Sequence, residues 1–383
     1  MKKLNAYLIS ILFVLTGCSQ SGTQNTDFFT IDVTEKYPKK DFILQDIFDV
    51  EYIPLETNDE FICEGWPLAI GEEVVLTRNS TGTRDLFVFN RSDGKGIKRI
   101  NRFGESGEEY LYSYNSFLDE ANGELFVCDR KKILVYDLEG NFKRSFDQNK
   151  DASLQDLTNF DAESFIWWNS SFNFNEDAVE MPSFFITSKQ DGRILREIEI
   201  PIEQRKSPVI MWREGDITYA IGPQNKSIIP YKDEMILTEA SSDTVYRYTR
   251  EQTLIPFMVR TPSLQSMDPE MFLLPGVVSD RYCFMEVNTK KRDAIDTSLA
   301  LDRRTGEIFR STVYNDDYSN KERVDMYSIG KNGNPDIAFC QKIEAEALVK
   351  AYERDQLKGR LKEIAANLDD EDNVVIMLAK YKK

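Results

Sequence analysis

From about residue 50 to residue 315 the chain alternates short apolar runs with polar turns, and nothing there holds the 3.6-residue spacing of a long helix. Runs such as Leu86-Phe87-Val88-Phe89, Ile133-Leu134-Val135-Tyr136, Phe184-Phe185-Ile186 and Val245-Tyr246-Arg247-Tyr248 have the aromatic and β-branched content of strands. Most lead into a hairpin turn that carries glycine: Ser92-Asp93-Gly94-Lys95, Leu138-Glu139-Gly140-Asn141, Gln190-Asp191-Gly192-Arg193 and Arg304-Thr305-Gly306-Glu307. Glycine supplies the positive φ that such turns need. The glycines lie 46, 52 and 114 residues apart, and the last interval is twice 57, so Thr249-Arg250-Glu251-Gln252 reads as a turn that lacks its glycine.

A period near 50 with four strands per unit matches a β-propeller blade, because one blade cannot bury both faces and must pack on its neighbours. Five units are visible, at about 62–105, 115–150, 158–203, 216–260 and 276–315. An open ring would leave apolar faces and an unpaired edge exposed. Two orphan strands remain to close it, Val50-Glu51-Tyr52-Ile53-Pro54-Leu55 and Val374-Val375-Ile376-Met377-Leu378. The expected fold is therefore all-β: a single six-bladed propeller over 31–383, closed by N- and C-terminal strands. Pro54 suits an edge position, where no ladder hydrogen bond is lost. From Ile343 to Leu368, Ala347, Leu348, Ala351, Leu357, Leu361, Ile364 and Ala365 give helical spacing. This predicts one amphipathic helix inserted in the last blade, capping one face of the ring.

The first residues have a different character. Lys2 and Lys3 precede an apolar run, Leu4 to Leu15, too short for the roughly 20 residues a spanning helix needs, and small residues lead into Cys18. Residues 1–17 read as a signal peptide. Leu15-Thr16-Gly17-Cys18 resembles the bacterial lipobox, which implies cleavage after Gly17 and lipid on Cys18. Acyl chains contribute about 0.8 kcal/mol per buried methylene, so the anchor holds without a spanning segment. Residues 18–30 read as a flexible polar tether. In lipoproteins with this start, serine after the cysteine favours the outer membrane; Ser19 holds that place here. Whether the body faces the periplasm or the cell surface stays open.

Composition narrows the chemistry. Net charge is −17, and loss of residues 1–17, with two lysines and no acid, makes it −19, which disfavours nucleic acid. The chain has no histidine, which excludes Ser-His-Asp and Cys-His nucleophiles and histidine-ligated metal sites. Cys63, Cys128, Cys283 and Cys340 are far apart, without metal-ligand spacing. Cys128 and Cys283 sit in apolar runs, where cysteine acts as a small hydrophobe; disulfide pairing of the four is open.

One unit carries a family likeness. Arg102-Phe103-Gly104-Glu105-Ser106-Gly107-Glu108-Glu109-Tyr110, then Gly123-Glu124-Leu125-Phe126-Val127-Cys128-Asp129 and Ile133-Leu134-Val135-Tyr136-Asp137-Leu138-Glu139-Gly140-Asn141-Phe142, resembles an NHL-type repeat. With Val50 to Thr57 and Asp372 to Ile376, the chain resembles the six-bladed propeller lipoproteins of Bacteroides-like bacteria, a family without a settled activity. In the third to fifth units the likeness is of rhythm.

Propellers hold ligands with loops around the central channel. Trp66, Trp168 and Trp212 are candidate sugar-stacking residues, set against the alternative that tryptophan fills wedges between blades, as it would for Trp167 too. Trp66, between Gly65 and Pro67, is the strongest candidate for exposure. Arg102 with Gly104 to Gly107 is a candidate anion nest, set against a plain connecting turn. Asp316-Asp317 and Asp369-Asp370-Glu371-Asp372 lack calcium-loop spacing and read as solvated turns. The leading expectation is a non-catalytic binding or scaffold protein, anchored through its lipid, that takes a glycan or an envelope protein. The alternative is a calcium-dependent lactonase-like enzyme with carboxylate ligands.

Overall fold

The computed structural model describes residues 28–82, 84–129, 132–148, 152–171, 181–327 and 332–382. The signal peptide, Cys18 and most of the expected tether lie outside the described residues. Five blades each contain a four-stranded antiparallel sheet. Blade one is Trp66–Ile70, Val74–Arg78, Leu86–Asn90 and Gly96–Ile100; blade two is Asn115–Asp119, Glu124–Asp129, Lys132–Asp137 and Phe142–Asp147. Blade three is Leu154–Asn159, Ser164–Asn169, Phe184–Ser188 and Ile194–Ile198. Blade four is Ile228–Tyr231, Glu234–Leu237, Thr244–Tyr248 and Leu254–Thr261, and blade five is Met271–Val278, Tyr282–Thr289, Thr297–Asp302 and Ile308–Asn315. The sixth joins Ile337–Ile343 and Val375–Tyr381 to Phe48–Pro54 from the other terminus.

Burial explains the sequence rhythm. Most second and third strands are buried on both faces, as in Glu124–Asp129, whereas the outer Phe142–Asp147 alternates half-buried and exposed positions. Within a strand, successive residues serve different wedges. Ile70, Val75, Phe87 and Phe89 face blade six, while Ala69, Leu76, Leu86 and Val88 face blade two. Six such wedge cores, one for each adjacent pair, run right round the ring.

The expected turns are present: Gly94, Gly140, Gly192 and Gly306 all have positive φ, and in the fourth blade Gln252 takes the place of glycine at φ 62°. Gly94 has a second reason to be glycine. A Cβ there would stand 1.9 Å from the carbonyl oxygen of Pro54, in the strand that closes the ring, whereas a Cβ at Gly306 would meet open space. Gly306→Ala is therefore expected to cost about 1 kcal/mol from φ alone and Gly94→Ala about 3 kcal/mol. Urea unfolding of the two variants checks this, and equal costs would contradict the clash.

Four features differ from the sequence reading. Residues 29 and 30, assigned to the tether, belong to the strand Phe29–Asp32, which lies parallel to Met258–Thr261 on the rim of blade four. Lys39–Ile43 then lies parallel on the outer strand of blade five, so the N-terminal segment crosses two blades before it enters the sixth. The fourth unit begins at Ile228, not 216, because Ile210–Glu214 and Ile217–Ile221 form a separate two-stranded hairpin. The single expected helix is two, Ala345–Glu353 and Gly359–Ala365, since Asp355 and Gly359 turn to positive φ between them. These helices do not cap the ring. Leu348, Leu361 and Ile364 pack into the core shared by blades five and six, with Phe284, Val313 and Val375.

Pro54 does sit on an outer strand that pairs on one side only. The return from that strand to blade one is fixed by buried Asn373. Its side chain donates to the carbonyls of Glu56 (2.6 Å) and Phe61 (2.7 Å) and accepts from the Cys63 amide (2.9 Å). All four described cysteines are free thiols.

Candidate functional site

Antiparallel order places the turns between first and second strands at one end of the ring, the turn end, and the blade-to-blade connections at the other, the linker end. Asn332–Gly333 pairs in parallel with Ala69 and Ile70 and lies against the innermost strands of blades one, two and three. Candidate binding groups lie on the two ends.

The linker end of blades one and two carries a row of aromatic rings with cations on them. Trp66 opens the innermost strand of blade one and is 44% exposed. Its indole Nε1 donates to Glu64 Oε2 at 3.1 Å, and Lys342 Nζ stands 4.0 Å from the ring centroid. The Glu64 carboxylate also accepts from the backbone amides of Ser80 (3.0 Å) and Thr81 (3.1 Å) and from both hydroxyls. Burial acts to raise its pKa, yet the Ser80 and Thr81 donors prevail and hold it at about 2. A fixed anion thus orients Trp66.

Arg78, paired across the strands with Trp66, places its guanidinium 4.3 Å from the Tyr114 ring, and the Tyr114 hydroxyl donates to the Ser80 carbonyl at 3.3 Å. Arg84 lies 4.7 Å from the Tyr112 ring and 5.7 Å from that of Phe103, and is held by a hydrogen bond to the Leu111 carbonyl. Tyr112 and Tyr114 are neighbours, with centroids 6.4 Å apart. Burial lowers the Arg78 pKa from its ordinary value. Tyr114 and Phe103 are 46% and 40% exposed. Such rings offer flat apolar surface, and the cations offer hydrogen-bond donors beside it.

Beyond Lys342 the row meets a cleft of about 440 Å³ between blade five and the helix Ala345–Glu353, lined in part by Arg323, Lys350 and Arg354. The turn end has a larger cleft, about 720 Å³, over blades four to six. Its central charges answer one another. Tyr231 donates to Asp280 (2.6 Å) and accepts from Arg303 (2.9 Å), and Lys232 pairs with Asp280 at 2.7 Å. Lys232 and the Tyr231 donor hold the Asp280 pKa below the ordinary carboxylate value.

The sequence candidates separate on the structure. Trp66 is in the row. Trp168 is not available: it is buried in the wedge with Phe184 and blade four, while Trp167 stacks on Phe185 at 4.4 Å in the wedge toward blade two. Trp212 lies on the separate hairpin, stacked on Tyr219 at 5.2 Å with Arg292 over it. Arg102 is structural, its Nε donating to the Gly140 carbonyl at 2.9 Å. The loop after it is occupied by its own carboxylate, Glu109, which accepts from the Ser106 amide at 2.9 Å, so it offers no anion nest. Asp317 ties down Gln45 (2.9 Å) and Tyr52 (2.8 Å), and Asp369 and Asp372 close a turn on each other. Among the described residues no three acidic or thiol side chains are grouped to hold a metal ion. Burial pushes the Cys63 thiol up to about 11, so it is no ready nucleophile.

Arg78, Arg84, Tyr112, Tyr114 and Lys342 escaped the sequence reading. The alternation Tyr110-Leu111-Tyr112-Ser113-Tyr114 was a usable signal, since it repeats an aromatic every second residue in a segment between two blades. Nothing local marks Lys342, which reaches Trp66 from the last blade.

Fold and site together define a six-bladed β-propeller with an aromatic and cationic row on its linker end. The chain belongs to the family described as a domain of unknown function, DUF4934, whose model matches residues 28–380. No curated protein sequence matches it. Among solved structures it is similar to a Bacteroides fragilis protein described as a candidate exported protein, with 13% identity and a TM-score of 0.63 over 93% of this chain and 100% of that one. A Bacteroides caccae protein of unknown function shares 10% identity over 62% of this chain and 76% of that one, with a TM-score of 0.35. Virginiamycin B lyase from Staphylococcus aureus shares 12% identity over 66% and 88%, with a TM-score of 0.33.

Proposed function

We propose that this chain is a non-catalytic, lipid-anchored propeller of the bacterial cell envelope that binds glycan on the linker end of blades one and two. The row Trp66, Tyr114, Tyr112 and Phe103 carries this reading: three exposed rings and the half-buried Tyr112, held by second partners, stack on sugar faces without prior reordering. The lipobox-like start and the similarity to a candidate exported protein support an address outside the cytoplasm, and Ser19 after the lipidated cysteine supports the outer membrane.

A glycan array probed with detergent-solubilised full-length protein tests the reading. Trp66→Ala is expected to weaken binding of the best glycan about 30-fold without changing the melting temperature by more than a few degrees, as truncation of an exposed anchor residue does. Unchanged affinity would remove Trp66 from the site, and sugar or lactone turnover that a single carboxylate substitution abolished would replace binding with catalysis.

A further inference from the structure

The linker-end row is more cationic than its purpose as a sugar platform requires. The protein as a whole carries −17, yet here Arg78, Arg84, Lys342, Lys350, Arg354 and Arg323 follow one another from blade one to the helix Ala345–Glu353. Lys342 joins the two parts, since it stands on the Trp66 ring and also lines the 440 Å³ cleft. Lys342 and Lys350 have carboxylate partners in Glu344 and Glu346, and Arg323 has Asp325. Among the described residues no ion pair joins Arg78, Arg84 or Arg354 to a carboxylate, although the Glu64 charge acts on Arg78 from a distance. On a strongly acidic surface, three guanidinium groups outside ion pairs offer donors to anions even with Glu64, Glu322 and Glu344 beside the strip. Arginine is suited to this because its fork matches a carboxylate or sulfate.

We infer that the ligand is a linear acidic polysaccharide, whose sugar rings stack on Tyr112, Tyr114 and Trp66 while its carboxylate or sulfate groups reach Arg84, Arg78 and, past Lys342, Arg354 in the cleft. This rests on the glycan reading above and adds the ligand's charge and its direction along the strip. A neutral chain would satisfy the rings and leave the guanidinium groups unanswered. A compact anion would satisfy one arginine and leave the rest.

The test uses full-length protein in detergent and three hexasaccharides: a galacturonate hexamer bearing carboxylates, a heparin-derived hexasaccharide bearing sulfates, and neutral maltohexaose. Binding is measured by calorimetry at low and high salt. At least one acidic hexamer is expected to bind at least tenfold more tightly than maltohexaose, with affinity falling as salt rises, and the better of the two identifies the anionic group. Arg78→Gln and Arg354→Gln are each expected to weaken that hexamer about tenfold, the loss of one hydrogen bond to a charged group. Arg354 is exposed, so its variant folds even if Arg78→Gln does not. Maltohexaose binding as well as the acidic chains would overturn the inference while the glycan reading stood. Weakening by Arg78→Gln but not by Arg354→Gln would overturn the lengthwise path. Binding of none of the three would overturn this inference, and a blank glycan array beside it would overturn the glycan reading as well.

Discussion

A chain ending at Asn373 is expected not to fold into a cooperative structure at 25 °C. The lost strand, Val375–Tyr381, is the centre of blade six, with Ile337–Ile343 on one side and Phe48–Pro54 on the other. Without it neither neighbour has a partner in that sheet. Its residues also alternate between two wedges: Val374, Ile376 and Leu378 pack toward blade one, and Val375, Met377 and Ala379 toward blade five. All six are at most 2% exposed. At roughly 1.5–3 kcal/mol for each large side chain, the loss is on the order of 10 kcal/mol, comparable to the whole stability of a typical domain. Thermal melting and limited proteolysis measure it. A truncated chain that melts cooperatively within about 5 °C of the full one would show that five blades stand without the sixth.

The same strand shows why the fold was legible. A blade strand buried on both faces must be an unbroken apolar run, and the turns between strands must admit positive φ, so both leave marks that a single sequence displays. Closure was legible because Val374 to Leu378 had no partner within its own neighbourhood. The added rim strands Phe29–Asp32 and Lys39–Ile43 left no such mark, because each is half exposed and short. The helix break at Asp355 was hidden for a related reason: apolar spacing continued across it to Leu357, which is buried in the core, and a positive φ at a non-glycine residue leaves no mark in the sequence. The site was the least legible. Trp66 announced itself beside Gly65 and Pro67, but a ring becomes a binding surface through what holds it, and Glu64, Ser80 and Lys342 do so across 278 residues of sequence. Of the two readings of the loop after Arg102, anion nest or connecting turn, the turn holds, and the carboxylate in it is the chain's own Glu109.

Lys189 forms a buried ion pair between two blades. It follows the third strand of blade three and crosses to blade two, where Nζ meets Asp119 Oδ2 at 2.8 Å with both side chains about 5% exposed. The Asp161 carbonyl at 2.8 Å and that of Ala162 at 3.4 Å take its remaining protons. Asn122 Nδ2 also donates to Asp119 Oδ2, at 2.8 Å, and the Lys189 carbonyl accepts from Arg144, which pairs with Glu124. Such a pair gains little over a hydrophobic replacement of both members, but removal of one strands the other charge out of water. Lys189→Met is therefore expected to lower stability by about 3–5 kcal/mol. The double variant Lys189→Met with Asp119→Leu is expected to recover part of that, since no buried carboxylate remains to be answered. Urea unfolding of the two single variants and the double gives the coupling directly. A cost below about 1 kcal/mol for Lys189→Met would mean that water reaches Asp119, and that apolar wedge packing alone joins blades two and three.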